Sequence, residues 1–367
     1  MARSKQRSNW LMVVDRVNAN LRFLYPAFTS YKDAVKRTKS LHGGYKGTPE
    51  EYKAVREYWA KYHKHPKMMW FKMYSDGKDK LDPRYIPLSM WYTTILPYFN
   101  NTTMGRAYVD KCGYDIMYKH LNMPATIVKN VAGRYYGANQ ELISKKEAIS
   151  RCLSHDGFIA KCATGSFGGH GIVVMIGDEI TEESVKKMFA QLNKNFIVQE
   201  LVKQHADLKA INPSSLNTLR VMSFFFKGKV HILSAQLRMG SGDARVDNYS
   251  SGGYACNIMP DGRLSERAVS RDGWATVHPN GMAFKDIVVP SYDKVIQIIE
   301  EEHKKIPYMN IIGWDFGIDE AGKPVFIEMN EGPQDNQNGS GPTFGDMTDE
   351  VLEEVFIKKS NRNEFFE

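Results

Sequence analysis

Cysteine is scarce in this 367-residue chain. Its four examples, Cys112, Cys152, Cys162 and Cys256, form no C-x-x-C pair and no metal-ligand spacing. That excludes a disulfide-stapled secreted domain and a thiolate zinc site, and predicts free thiols in a cytoplasmic protein. Long apolar runs are missing too, and none approaches the ~20 residues that cross a bilayer. The opening MARSKQRSNWLMVVDR imitates a signal peptide, but Asp15 and Arg16 break its apolar run too early. There is no internal repeat, no low-complexity tract and no GxxxxGK[ST] phosphate loop. No nucleic-acid-binding module is present, so no nucleic-acid partner is expected.

What is present suits a globular chain large enough for two or three domains, with 42% hydrophobic and 25% charged residues. The net charge of +7 is unevenly spread. Residues 1–80 hold 18 Lys/Arg against 7 Asp/Glu, and the remainder is close to balance. This front end is also aromatic. Tyr52, Val55, Trp59 and Tyr62 recur at helical spacing within Pro49–His63. A basic helical region of this kind suits an anionic membrane or an acidic polysaccharide, against the plainer reading of a solvated helix face. Residues 81–100, with three prolines and many aromatics, read as a packed connection. A helix is expected from Gly105 to about Asn122.

The densest chemistry lies in Ile311–Asn330, IIGWDFGIDEAGKPVFIEMN. Alternation predicts two strands joined by a turn at Glu320–Lys323. Ile312, Trp314, Phe316 and Ile318 would share a greasy face with Val325, Ile327 and Met329. The other face would carry Asp315, Glu328 and Asn330. A two-residue loop at Ala321-Gly322 would set Asp315 opposite Glu328, a like-charge pair that needs neutralising. A Mg²⁺ ion held by carboxylate and amide oxygens would do so, and the glycines flanking Asp315 would leave room for a ligand.

Upstream, FIAKCATGSFGGHGIVVMI (Phe158–Ile176) reads as a strand bearing Lys161, a glycine loop and a β-branched strand. Glycines let main-chain N–H groups fold over phosphate oxygens, and a lysine adds a point charge. Asn195–Val202 is a buried strand interrupted by Gln199-Glu200, a hinge able to offer its backbone to a planar base. Arg220 opens another apolar strand as a candidate phosphate clamp. Strict alternation from a turn at Lys227-Gly228 places Arg238 on the opposite face. Asp315-Phe316-Gly317 also spells the protein-kinase DFG, yet Lys161 precedes the glycine loop and no HRD-type loop exists, which rejects a kinase.

In this order, ending in Asp, twelve residues, then Glu-x-Asn, the motifs resemble the ATP-grasp superfamily, which includes D-alanine–D-alanine ligase and glutathione synthetase. Asp82–Tyr85 with Ile86-Pro87, Asn217–Arg220, Asp247-Asn248 with Gly252-Gly253, and Ile312–Asp315 resemble its sugar-transfer-associated branch. The likeness spans roughly residues 80–356. It implies an α/β (α+β) fold with two lobes clamping ATP and a helical N-terminal extension. The divisions expected are 1–100 for the extension, 101–200 for the first lobe and 201–367 for the second. By position, Lys111 and Lys161 would hold ATP phosphates beneath Gly165, Ser166, Gly168 and Gly169. Gln199, Glu200 and Val202 would meet adenine, and Asp207 the ribose. Arg220, with Lys161, would act on the transferred phosphoryl group, and Asp315, Glu328 and Asn330 would ligate Mg²⁺. Where many ligases have a Pro-Gly turn, this chain reads Glu331-Gly332-Pro333.

Two polar, glycine-rich stretches, Arg238–Gly253 and Gly332–Gly345, suit substrate recognition. Arg238, Asp243, Arg245, Asn248 and Gln334 are the candidates there. The expected activity is ATP-dependent ligation of a carboxylate to an amine through an acyl phosphate, on a cell-surface sugar or its peptide appendage. Two alternatives stay open: a phosphotransferase on this scaffold, and a nucleotide-binding scaffold of a membrane-associated glycan assembly. The expected location is cytoplasmic, or peripheral to the inner face of a membrane.

Overall fold

The computed structural model describes residues 47–75, 80–164, 171–248 and 251–358. Gly165, Ser166, Gly168 and Gly169 lie outside the described residues, as do residues 1–46 with much of the basic front end. Among the described residues no helix is long and apolar enough to cross a membrane.

The first sheet contains β1 (Thr126–Val131), β2 (Arg134–Tyr136), β3 (Leu142–Ile143), β4 (Gly157–Cys162), β5 (Ile172–Ile176) and β6 (Phe196–Glu200). Its order is β3-β2-β1-β6-β4-β5, with every pairing antiparallel. Alternation then sorts its faces. Phe158, Ala160, Phe196 and Val198 pack under Ile149 and Cys152 of a helix at Lys145–Leu153 and under Val185 and Phe189 of a helix at Glu182–Leu192. Ile159, Lys161, Ile172, Val174 and Ile176 take the other face and line a cleft.

The second sheet contains β7 (Thr218–Phe226), β8 (Lys229–Met239), β9 (Tyr254–Ile258), β10 (Leu264–Ser270), β11 (Gly273–Ala275), β12 (Ile311–Ile318) and β13 (Pro324–Asn330). Its order is β11-β10-β9-β8-β7-β12-β13, again antiparallel. One face holds Leu219, Val221, Leu237, Trp314 and Phe316 against Val295 and Ile299 of a helix at Tyr292–His303. The other face changes character along β7. Met222, Phe224 and Phe226 are covered by N-terminal helices, whereas Thr218 and Arg220 face the cleft.

Those N-terminal helices, α1 (Pro49–Ala60) and α2 (Met69–Tyr74), belong to the core. Thr48 and Glu51 close a capping box before Pro49, so α1 starts where its first N–H groups find acceptors. Val55 and Trp59 are fully buried and Tyr62 nearly so, each such side chain contributing on the order of 2 kcal/mol. The aromatic stripe of the sequence is therefore a packing surface. The expected helix over 105–122 is instead a chain of short turns at Thr102–Gly105, Arg106–Val109, Lys111–Gly113 and Tyr114–Met117. Asp110 caps one of them by accepting from the Cys112 N–H, a local bond that competes with a continuous helix.

Candidate active site

Five polar side chains cross the second sheet in a row. Glu328, Asp315, Arg220, Gln236 and Asn257 are successive cross-strand partners on β13, β12, β7, β8 and β9. Directly paired residues share a face, and the first four of the row form a floor to the cleft. Arg220 Nε and Nη2 donate to the two Asp315 oxygens, the Nη2 bond measuring 2.6 Å. Arg238 Nη2 reaches Asp315 Oδ2 at 3.3 Å, and Gln236 Nε2 donates to Asn257 Oδ1 at 3.0 Å.

Two β-bulges assemble this floor. The hairpin loop is longer than expected, running over residues 319–323 with Gly322 at φ +72 and Ile318 paired to Pro324. That offset alone would separate Asp315 from Glu328, but an irregularity on β13 beside Ile327 restores their pairing. The consequence corrects the expected faces. Phe326 turns into the core against Trp314 and Phe316, and Ile327 lines the cleft. A second irregularity, beside Leu233 of β8, pairs Arg220 with Gln236 and Thr218 with Arg238. Arg238 thus joins the Arg220 face, contrary to strict alternation, because a bulge adds one residue and re-aims the side chains beyond it. The glycines beside Asp315 are also not ligand space. A Cβ on Gly313 would meet Pro333 at 2.8 Å, and one on Gly317 would meet Leu216 at 3.2 Å.

Opposite this floor, the first sheet supplies an apolar roof of Ile159, Ile172, Val174 and Ile176 around one buried cation, Lys161. Together the sheets enclose a cavity of about 1110 Å³. Strand pairing of β6 ends at Glu200, and Glu200, Leu201 and Val202 line the cavity as the hinge. Gln199 shares the face of its partner Ile159 but is not part of the lining: it is buried, and its Nε2 donates to Pro124 O, at the cavity wall, at 3.2 Å. Lys111 works at one remove. Its Nζ lies 2.9 Å from Glu328 Oε2, and its N–H donates to Ala163 O at the end of β4. Lys129, buried beneath, anchors this turn to the first sheet through Asp115 (2.8 and 2.9 Å) and Cys112 O (3.2 Å).

Asp207 is exposed in the first turn of a helix at Ala206–Ile211, 3.6 Å from His205 Nδ1, and does not line the cavity. Glu320 and Lys209 line that rim instead. Asp243 is exposed and likewise away from the lining, whereas Asn248 and Gln334 border the cavity. Arg245 borders it too, but its guanidinium is occupied by Glu179.

Several cleft residues went unread in the sequence. Gln236 sits between apolar Ala235 and Leu237, an alternation that was legible. Tyr92 and Asp335 carried no local signal, because tertiary contacts bring them in. Trp91 Nε1 donates to Pro333 O at 2.8 Å, Tyr74 OH to Asp335 Oδ2 at 2.5 Å, and the Gln337 amide exchanges two 2.8 Å bonds with the Ile86 backbone. The N-terminal helical layer thereby fixes the loop after β13.

The electrostatics are set by these contacts. Burial opposes the Asp315 charge, but Arg220 and Arg238 overcome it and hold its pKa near about 2. Burial also works against Arg220, whose pKa is nonetheless raised by Asp315. Burial lowers Lys161 to about 8, with Lys111 adding to the shift and Glu328 and Asp315 opposing it. Asp247 is raised by burial although Arg238 and Thr218 pull the other way. Its Oδ2 accepts from the Thr218 N–H at 3.2 Å and from the Thr218 hydroxyl.

The neutralisation of Asp315 and Glu328 therefore comes from protein cations, not from a metal alone. Among the described residues no group of three or more His, Cys, Asp and Glu could hold an ion. The donors at hand are two carboxylates and the Asn330 amide, whose buried Nδ2 makes no hydrogen bond. Mg²⁺ suits that set, since it takes one or two carboxylates and fills its other positions with water and phosphate oxygens. The orphaned Asn330 donor also fits an oxygen-rich ligand placed there.

Two antiparallel sheets closing on a cleft, with a lysine-bearing roof and a Glu-Asp-Arg floor, define the ATP-grasp fold. The chain belongs to the sugar-transfer associated ATP-grasp family, whose model matches residues 97–339. Solved structures similar in fold include D-alanyl-alanine synthetase A from Vibrio cholerae, with 12% identity over 68% of this chain and 65% of that one, and a TM-score of 0.42. Biotin carboxylase from Campylobacter jejuni is 12% identical over 70% of this chain and 48% of that one, with a TM-score of 0.43. L-amino acid ligase from Bacillus licheniformis is 13% identical over 70% of this chain and 49% of that one, with a TM-score of 0.37. These likenesses add nothing to the family match, and this chain spans less than two thirds of each structure. No curated protein matches it.

Proposed function

We propose that the protein is an ATP-dependent ligase joining a carboxylate to an amine through an acyl phosphate. The observation that carries this is the charged floor facing Lys161 across the cleft. Its two carboxylates and two guanidiniums, with the ammonium opposite, suit a site for a triphosphate and an attacking oxyanion. The apolar roof and the hinge at 200–202 take the base, and Lys161 holds the phosphates. Arg220 and Arg238, fixed by Asp315, present positive charge to the oxyanion and to the phosphoryl group in transfer. Mg²⁺ bound by Asp315, Glu328 and Asn330 would supply Lewis-acid polarisation of the phosphoryl oxygens. The substrate carboxylate attacks the γ-phosphorus and ADP departs. The amine then attacks the acyl carbon, phosphate leaves, and the amine releases a proton.

The family's description supports a cell-surface sugar or its peptide appendage as the molecule modified. Gln236, Asn336 and Gln334, which line the cleft, suit a hydroxyl- and amide-bearing ligand. The test uses carboxylate-¹⁸O candidates with ATP, Mg²⁺ and a panel of amines. Label in the released phosphate supports ligation. Formation of ADP with the phosphoryl group retained on product would overturn it in favour of a phosphotransferase.

A further inference from the structure

Outside the catalytic floor, a charged contact joins the turn after the roof strand β5 to the loop after β8. Arg245, in the loop over residues 240–248 after β8, sends Nη1 and Nη2 to the Glu179 carboxylate at 2.6 and 2.5 Å. Nη1 also donates to Val174 O at 3.1 Å. Val174 belongs to β5, and Glu179 lies in the turn just after it, at Gly177–Glu179. The same carboxylate accepts from the Ile176 N–H at 3.3 Å, so the guanidinium grips the end of the roof strand from both sides.

The loop bearing Arg245 is itself fixed to the floor. Two residues on, Asp247 is buried, accepts from Thr218, and lies 3.7 Å from Arg238 Nε. Arg238 in turn donates to Asp315. At the loop's start, Gly240 O is hydrogen-bonded to His278 Nε2 at 2.8 Å. A short path thus runs from the roof, through Arg245 and Asp247, to the guanidinium and carboxylate where phosphoryl transfer is proposed.

We infer that Arg245 is a positioning residue that clamps β5 onto the loop over 240–248, holding the cleft closed over a bound nucleotide. The inference rests on the nucleotide-binding reading of the cleft. It reassigns Arg245 from substrate recognition to closure, since both faces of its guanidinium fork are already engaged. It also makes release of the nucleotide depend on a loop whose Asp247 borders the charged floor beside Arg238. Because the pair is exposed, its grip is modest and weakens as salt screens it.

The test measures dissociation of N-methylanthraniloyl-ADP with Mg²⁺ by stopped flow, chased with unlabelled ATP. Arg245→Met and Glu179→Gln should each speed release by about three- to fivefold, the scale of a well-formed exposed pair, with the melting temperature little changed. The double variant should be no faster than either single change, and the exchange Arg245→Glu with Glu179→Arg should recover part of the slow release. Raising salt should accelerate the wild type more than Arg245→Met, in which only the grip on the nucleotide's own charge remains to be screened. Equal release rates in all variants, or additive effects of the two changes, would overturn the clamp while leaving nucleotide binding intact. A wild type that fails to bind the probe would overturn the nucleotide reading, and the clamp with it.

Discussion

The two sheets meet the same cleft with opposite chemistry. The first offers Ile159, Ile172, Val174 and Ile176 with one buried ammonium, and the second a row of acid, base and amide. An apolar surface holds a flat base without demanding a fixed charge pattern. A charged surface has to be neutralised within itself before any ligand arrives, and Arg220, Arg238 and Lys111 do this for Asp315 and Glu328. The lesson concerns burial. A single cation on a greasy sheet is left to the ligand, whereas clustered charges in a floor already form part of the fold.

Removing the single cation should give the largest effect. Lys161→Met is expected to lower turnover by about 10²- to 10³-fold, the scale for one electrostatic stabiliser of developing charge. Urea denaturation should show no loss of stability, because a desolvated charge has been removed. Near-normal turnover would show that the roof cation is not needed.

The next effect lies beneath the floor. Trp314 Nε1 donates to Ser223 Oγ at 2.7 Å, and His303 Nδ1, 2.7 Å from that oxygen, accepts a hydrogen bond from the hydroxyl. His303 Nε2–H then donates to Met309 O at 3.0 Å, so the ring is held neutral. Burial lowers its pKa from 6.5 to about 4, with the bond to Met309 O opposing the shift. The unfolded chain therefore binds more protons between these values. Stability from this group is complete above pH 6.5 and is lost as pH falls towards 4, by about 3 kcal/mol. Melting curves across that window check it, and His303→Gln should flatten the dependence.

Charge pairing within the floor predicts a third outcome. Glu328→Gln leaves Lys111, about 8% exposed at its side chain, without its carboxylate, so the variant should be less stable in the absence of metal and nucleotide. The loss is on the order of 2 kcal/mol, below that of a fully buried pair because Glu328 is partly solvated. Adding Lys111→Met should recover some of it. A rise in melting temperature on Glu328→Gln would mean that like-charge crowding with Asp315 outweighs the lysine. The smallest effect is expected beyond the floor, where Tyr74→Phe removes a donor to buried Asp335 and should cost about 1–2 kcal/mol in urea denaturation.

Much of this was legible in residue types. Lys161 beside a glycine loop, Arg220 at a strand start and Asp315 with Glu328 on paired strands all lie in or around the cleft. The pairing of Asp315 with Glu328 was expected from a two-residue loop, but a longer loop and a bulge produce it. For Arg238, counting from the turn failed because Leu233 adds a residue in mid-strand. Asp207 was misplaced for another reason: being polar near a hinge does not decide which way a side chain points, and Gln199, on the cleft face, has its amide N–H taken by Pro124 O.

The sequence alone determined which segments are strands, which of their faces can be buried, and where charge is concentrated. Those properties come from side-chain chemistry and a period of two, both local. Tertiary structure decided the register. A β-bulge is stable only when core residues such as Phe326 and Trp314 gain packing from the shift, so no local count reveals it. It also decided that the aromatic helices over residues 49–74 close one end of the second sheet and hold Asp335 in place. Contacts separated by some 260 residues have no signature in either segment read by itself.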